Sequence, residues 1–238
     1  MKLDILAIGA HPDDIELMCG GTLILHARMG LKTGIVDLTE GELGTRGTVE
    51  SRKNEAEAAG KILGISAREN LRLADGFFQP DKTSLLTVVV AIRKYQPEII
   101  ICNAITDRHP DHGRAASIVS TASFLAGLLK VETESEGKKQ TRWKTKAIYH
   151  SLQDRYIKPD FVVDISDVWE QKMKAINAFK TQFFDPNSKD PETPISTPEF
   201  LDFLDARAVE VARPAGMKRA EGFTVERTPG VKSLFDLL

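Results

Sequence analysis

The feature that most constrains this chain is a regular alternation of short, continuous apolar runs with longer amphipathic stretches. Leu3 to Ile8, Thr33 to Thr39, Asn70 to Leu73 and Glu98 to Cys102 read as strands. Helices are predicted between them, from about Ile15 to a stop at Gly30, from Ser51 to Leu63 with Gly64 as its stop, and from Ser84 to Tyr95. Strands that are apolar without alternation are buried on both faces, which means a parallel sheet covered by helices and joined by right-handed crossovers. The expected fold is a Rossmann-like three-layer α/β/α sandwich with a mostly parallel sheet. At 238 residues, 42% of them hydrophobic, the chain fits a single domain spanning 1–238.

The second half is less regular. A fourth helix is expected from Ala115 to Leu129 and an exposed polar loop from Val131 to Arg142. Strands follow at Lys146 to Ser151 and Phe161 to Ile165, then a helix capped by Ser166 and running to Phe179. Four prolines (Pro186, Pro191, Pro194, Pro198) mark a long irregular loop, and Thr197-Pro198 opens a last helix to Val211. The apolar tail Leu234, Phe235, Leu237, Leu238 is expected to dock on its own domain or on another subunit.

Composition excludes several classes. Lys plus Arg is 32 against 34 for Asp plus Glu, a net charge of -2, so no basic face for nucleic acid or anionic membrane is indicated. No apolar run approaches the roughly 20 residues of a membrane span, and no signal peptide is visible, so a cytoplasmic location is expected. Cys19 and Cys102 form neither a metal motif nor a disulfide framework and read as core residues.

Three of the five histidines fall in two similar pieces, His11-Pro12-Asp13-Asp14 and His109-Pro110-Asp111-His112. Each leaves a predicted strand and enters a predicted helix. A phosphate loop is disfavoured at the first, because Asp13 and Asp14 repel phosphate; the same carboxylates suit a cation. With the common strand order 3-2-1-4-5, strands one and four are neighbours at the topological switch point, so the two pieces face each other across one crevice. Either piece alone is equally a helix-start cap. The pair points to a metal site.

Positions i and i+3 share a face of a first helical turn. His11, Asp14 and one histidine of the second piece therefore make a three-ligand set with an open fourth position, the pattern of catalytic zinc. The same list describes the facial triad of non-haem iron oxygenases; the helix-start spacing and the α/β architecture favour a hydrolytic metal. Asp13, beside a ligand but pointing elsewhere, is positioned to take a proton from a metal-activated water. The remaining histidine is a candidate for stabilising the oxyanion or protonating the leaving group, with Asp111 orienting it. His26 reads as a satisfied surface histidine, and His150 has no assignment.

The motif Ala10-His11-Pro12-Asp13-Asp14-x-Glu16, with His109-Pro110-Asp111-His112, resembles the LmbE-like, or PIG-L-type, family of zinc-dependent N-deacetylases. The loop Gly41-Glu42-Leu43-Gly44-Thr45-Arg46-Gly47, followed by Arg52 and Glu55, looks more particularly like the branch of bacillithiol biosynthesis that acts on N-acetylglucosaminyl malate. The resemblance implies Zn2+ on His11, Asp14 and His112, Asp13 as general base and His109 as second catalytic group. It also implies Glu42, Arg52 and Asp75 as contacts to the sugar, a small-molecule N-acetylglucosamine conjugate as partner, and, together with the apolar tail, a homo-oligomer. Arg46, Arg52 and Arg108 are candidate partners for a malate carboxylate. Arg219 stands where that family often has an aromatic residue. Another sugar or thiol-conjugate amidase would use the same residues, and a non-enzymatic metal- or sugar-binding protein is the remaining alternative.

Overall fold

The computed structural model describes residues 1–237; Leu238, the end of the predicted apolar tail, lies outside the described residues. The first half follows the expected alternation: β1 (Ile5–Gly9), α1 (Asp14–Arg28), β2 (Thr33–Thr39), α2 (Val49–Leu63), β3 (Ala67–Leu73), α3 (Lys82–Tyr95), β4 (Ile99–Cys102) and α4 (Pro110–Ala126). A two-strand hairpin, β5 (Glu134–Ser135) and β6 (Lys138–Lys139), occupies the predicted polar loop. Then come β7 (Ala147–Ser151), β8 (Phe161–Asp164), a 3-10 turn leading into α5 (Trp169–Ile176), α6 (Pro198–Ala212) and β9 (Ala220–Val225). The sequence pattern does not predict β9. Its Glu221 and Gly222 interrupt the apolar run, and only its place in the sheet makes it a strand.

The sheet order is β3-β2-β1-β4-β7-β9-β8. The five strands from β3 to β7 are parallel, and β9 pairs antiparallel with both β7 and β8. This is the predicted Rossmann-like α/β fold, with β1 and β4 adjacent and in register from Ile5↔Ile99 to Ile8↔Cys102. One core layer packs α3 and α4 on the sheet through Val88, Ile92, Ile118 and Val119. The other packs α1 and α5 through Ile15, Met18, Leu23 and Ala175. Cys19 and Cys102 are buried and free, as expected. Leu234 and Phe235 are 80% and 79% exposed, so those two tail residues do not dock on the rest of the chain. No helix of the described residues is long and apolar enough to cross a membrane.

Helix α1 departs from the single helix the sequence suggests. At Cys19 the backbone leaves helical geometry (φ -144°, ψ 19°), splitting α1 in two. The break exposes carbonyls on one side and amides on the other, and each set is met by a distant side chain. Lys172 Nζ donates to Leu17 O at 2.8 Å and Ser151 Oγ to Met18 O at 2.7 Å. On the other side the Glu221 carboxylate accepts from Gly21 N and Thr22 N at 2.8 and 2.7 Å, and from Lys172 Nζ at 2.7 Å. Gly21 is required there, since a Cβ would lie 2.7 Å from Ile165 Cγ2. Thus β9 and α5 hold the helix on which the first motif sits.

Candidate metal centre and active site

The two His-Pro-Asp pieces sit at the carboxyl ends of β1 and β4, as the strand order required. All three histidines meet there, with ring centroids 4.7 to 5.7 Å apart. Asp14, the first residue of α1, lies between two of them: its Oδ2 is 3.5 Å from His11 Nδ1 and its Oδ1 is 3.1 Å from His112 Nε2.

The far nitrogen of each imidazole faces a carboxylate. His11 Nε2 donates to Asp75 Oδ1 at 3.1 Å, and His112 Nδ1 donates to Asp107 Oδ2 at 2.6 Å. Such partners fix the ring orientation and turn His11 Nδ1 and His112 Nε2 toward Asp14. Two imidazole nitrogens and one carboxylate oxygen, each oriented from behind, fit a divalent cation. Asp14 is held in turn: Oδ2 accepts from His11 N and from Asn103 Nδ2, both at 3.0 Å, and Oδ1 from Gln153 Nε2 at 2.7 Å. Burial works against charge on these groups, yet their mutual contacts win. The His11 pKa is raised above its ordinary value, that of His112 to about 9, and Asp14 is held well below the usual carboxylate range. A cation binds by replacing the protons shared across such a cluster.

His109 also brings a ring nitrogen within 4.8 Å of ligand atoms of His11 and His112. Its Nδ1 accepts from Asp111 N at 3.3 Å in a helix cap. That contact puts the proton of the neutral ring on Nε2. Burial and the neighbouring His11 and His112 lower its pKa, so His109 is a neutral donor. The orienting contact expected from Asp111 thus comes from its backbone. The Asp111 carboxylate, 0% exposed, accepts instead from Gly76 N and Arg114 Nη1 at 2.9 and 2.8 Å and lies 3.4 Å from His11 Nε2. His11 Nε2, Asp75 and Asp111 also form a metal-sized group, but Nε2 is the nitrogen that orients His11, so we read them as its support.

Asp13 occupies a left-handed conformation, φ 118°, rare for a residue with a Cβ and costing about 1–3 kcal/mol. Two bonds from Arg52 Nη2 hold it, to Asp13 Oδ2 at 3.0 Å and to Pro12 O at 2.7 Å, while Arg52 Nη1 reaches Gly41 O at 3.2 Å. Gly41 (φ 67°) is obligatory, since a Cβ would meet Arg52 Nη1 at 2.1 Å. Burial raises the Asp13 pKa to about 7 against the opposing pull of Arg52, the range of an effective base near neutrality. Strain, a single strong ion pair and burial beside Asp14 set it apart from the other carboxylates of the cleft.

Of the three expected sugar contacts, two reach the cleft. Arg52 and Asp75 line the cleft but are bonded to Asp13 and His11. Glu42 accepts from Asp75 N at 2.8 Å and is not among the lining residues. Arg46 is tied to Ser188 and Asp190, away from the lining, whereas Arg108 lines the rim, 46% exposed and paired with Asp154 at 2.9 Å. Glu16 points to Arg68 on the far side of α1, and Glu55 holds Thr181. Arg219 bonds Asp205 and lies over Trp169, outside the cleft. His26 donates to Thr22 O, as a satisfied histidine should.

Sequence reasoning missed Asp107, Asn103 and Gln153. Asp107 was legible as an acidic residue five positions before His112. Asn103 and Gln153 gave no signal, since polar amides after strands are ordinary turn residues. Unassigned His150 lies behind Asn103: Nδ1 faces Asn103 O at 3.0 Å and Nε2 faces Glu226 at 2.9 Å.

The centre opens into a cleft of about 280 Å³. The chain as a whole is similar to known proteins. Residues 6–123 match the model of the GlcNAc-PI de-N-acetylase family, PIG-L. The fold superposes on the crystal structure of the conserved protein TT1542 from Thermus thermophilus with a TM-score of 0.86 and 33% identity, covering 98% of both chains. Diacetylchitobiose deacetylase of Thermococcus kodakarensis is 28% identical over 75% of this chain and 70% of its own. The 4-oxalmesaconate hydratase of Pseudomonas putida is also 28% identical, over 74% of this chain and 73% of its own. The motifs, the fold and these matches agree that the chain belongs to the PIG-L family of LmbE-like proteins.

Proposed function

We propose that the protein is a zinc-dependent N-deacetylase that hydrolyses the N-acetyl amide of a glucosamine conjugate, N-acetylglucosaminyl malate being the substrate that best matches its loops. The observation that carries this reading is a contrast inside one motif: His11 and Asp14 lie together in a buried imidazole–carboxylate cluster whose donors suit a cation, while Asp13 is strained, buried and held by one arginine. Binding alone has no use for that third group. His11, Asp14 and His112 are the residues that would hold a zinc ion, which would supply a polarising charge and an acidified water. Asp13 Oδ accepts the water's proton as the carbonyl carbon is attacked. His109 Nε2–H donates to the developing oxyanion, and Asp13 returns the proton to the departing amine.

Of the three cations considered for a malate carboxylate, Arg108 is the one that is itself exposed at the cleft, paired there with the half-buried Asp154. The similarity to a hydratase makes water addition to an unsaturated acid the second reading. It is less well supported: Arg52, beside the reacting groups, is committed to Asp13, and Arg108 lies at the edge. Exposed Leu234 and Phe235 support self-association; a monomeric mass by light scattering would remove that expectation.

The test is metal analysis of the purified protein with acetate-release assays on N-acetylglucosaminyl malate, N-acetylglucosamine and diacetylchitobiose. One equivalent of zinc and preferred turnover of the malate conjugate are expected. Release from another N-acetyl sugar alone would reassign the aglycone, and zinc without any acetate release would refute deacetylation.

A further inference from the structure

The cleft has a second wall that the chemistry above does not use. Phe200, Phe203 and Leu204 come from α6, at spacing i, i+3, i+4, so one face of that helix is turned to the cleft, joined by Leu17 and Ile195. The aromatic rings are braced. Phe200 lies parallel to the buried Phe183, centroids 6.1 Å apart and planes at 2°, and Phe203 stacks on Phe200 at 6.0 Å. The Arg207 guanidinium sits over Phe203 at 4.9 Å and donates to Gln153 O and Asp154 O. Gln153 also holds Asp14. The apolar wall is therefore fixed to the segment that fixes the metal ligand, so the spacing of the two walls is set before substrate arrives.

A cleft with one aromatic wall, and imidazole, carboxylate and guanidinium groups opposite, discriminates by shape and polarity. A long acyl chain would bury methylenes against those charged groups. A pyranose presents C–H groups on its face and hydroxyls around its edge, which is the matching pattern. We propose that Phe203, with Phe200 and Leu204, is the platform for the C–H face of the sugar that carries the acetamide, and sets selectivity for pyranose over acyclic N-acetyl amines. This rests on the deacetylase reading and extends it to the leaving group.

The test compares wild type, Phe203→Ala and Phe203→Trp on methyl N-acetylglucosaminide and on N-acetylethanolamine. Phe203→Ala is expected to lower kcat/KM for the glycoside about tenfold, mainly through KM, with the acyclic amide changed less than about twofold and Phe203→Trp near wild type. Equal losses on both substrates would mean that Phe203 is only structural and would overturn the platform. Binding of the intact glycoside to Asp13→Asn, followed by calorimetry with and without Phe203→Ala, separates the two readings. Weaker binding in the double variant with no turnover in the parent supports the platform while rejecting deacetylation. Unchanged binding overturns the platform even if the parent deacetylates.

Discussion

His11-Pro12-Asp13-Asp14 and His109-Pro110-Asp111-His112 look like copies of one signal, yet the chain folds them in different registers. In the second piece the histidine is the helix cap: His109 is extended (φ -80°, ψ 126°), Pro110 takes the first helical position, and Asp111 is already inside the first turn. In the first piece the helix begins two residues later, at Asp14, and Asp13 occupies the cap position in a left-handed conformation. Asp111 therefore closes hydrogen bonds to Gly76 and Arg114, whereas Asp13 is left at the cleft with Arg52 as its partner. Similar sequence thus yields two carboxylates with different partners, because the backbone conformation of the aspartate, rather than its neighbours in sequence, decides what its oxygens meet. The following helices differ too. Among the described residues α4 runs unbroken from its own cap, and α1 is broken at Cys19 and held by Glu221, Lys172 and Ser151.

The comparison can be broken by mutation. The largest effect is expected where both pieces converge: Asp14→Ala or His112→Ala should abolish stoichiometric zinc and lower turnover by more than about 10³-fold, measured by metal analysis and acetate release. Next, Asp13→Asn should keep zinc and lose about 10²–10⁴ in kcat, while Asp111→Asn loses about tenfold or less. Equal losses in the two would erase the distinction drawn here. Asn103→Ala, which frees one oxygen of Asp14 from its holder, should weaken zinc about 10–100-fold in a chelator competition.

Two further variants probe how each helix is held. Glu221→Ala leaves Lys172 and two amides of α1 buried without their partner, and should cost about 3–5 kcal/mol in urea unfolding. A cost of a few tenths would show that the break in α1 holds itself. The smallest effect concerns His150, behind β4. Burial lowers its basicity, but hydrogen bonds to Cys102 and Glu226 outweigh it and raise the pKa to about 10. A raised histidine stabilises the fold fully below its unfolded pKa near 6.5, and that contribution fades as pH rises through 10. The Glu226 carboxylate is itself held below its ordinary pKa by His150, so the melting-temperature gap between wild type and Glu226→Gln should be widest between about pH 4.5 and 6.5 and narrow both towards pH 10 and in acid. A gap independent of pH would mean that Glu226 acts without the His150 charge.

Much of this was legible before the fold was known. Continuous apolar runs identified the central parallel strands, while the charged edge strand β3 was placed only from Asn70 and begins at Ala67; Thr197-Pro198 and Gly64 marked helix ends at the right residues because capping is local chemistry. The pairing of the two motifs followed from strand order, a property of the whole family of doubly wound sheets. The elements that were missed depend on partners far along the chain. Glu221 looks like a surface residue in Ala220-Glu221-Gly222 until β9 inserts between β7 and β8 and brings it under α1.

The sequence by itself determined which residues can bind a cation and that they gather at adjacent strand ends, since both follow from residue type and local periodicity. Tertiary structure alone decided the rest. It put Asp13 in a strained conformation against Arg52 and Asp111 against Gly76 and Arg114, bonded Asp75 to His11, and brought aromatic residues of α6 to the same cleft. The physical reason is that a side chain's role depends on what it meets and how deeply it is buried, and those contacts span 39 residues for Arg52 with Asp13 and 200 for Glu221 with Gly21.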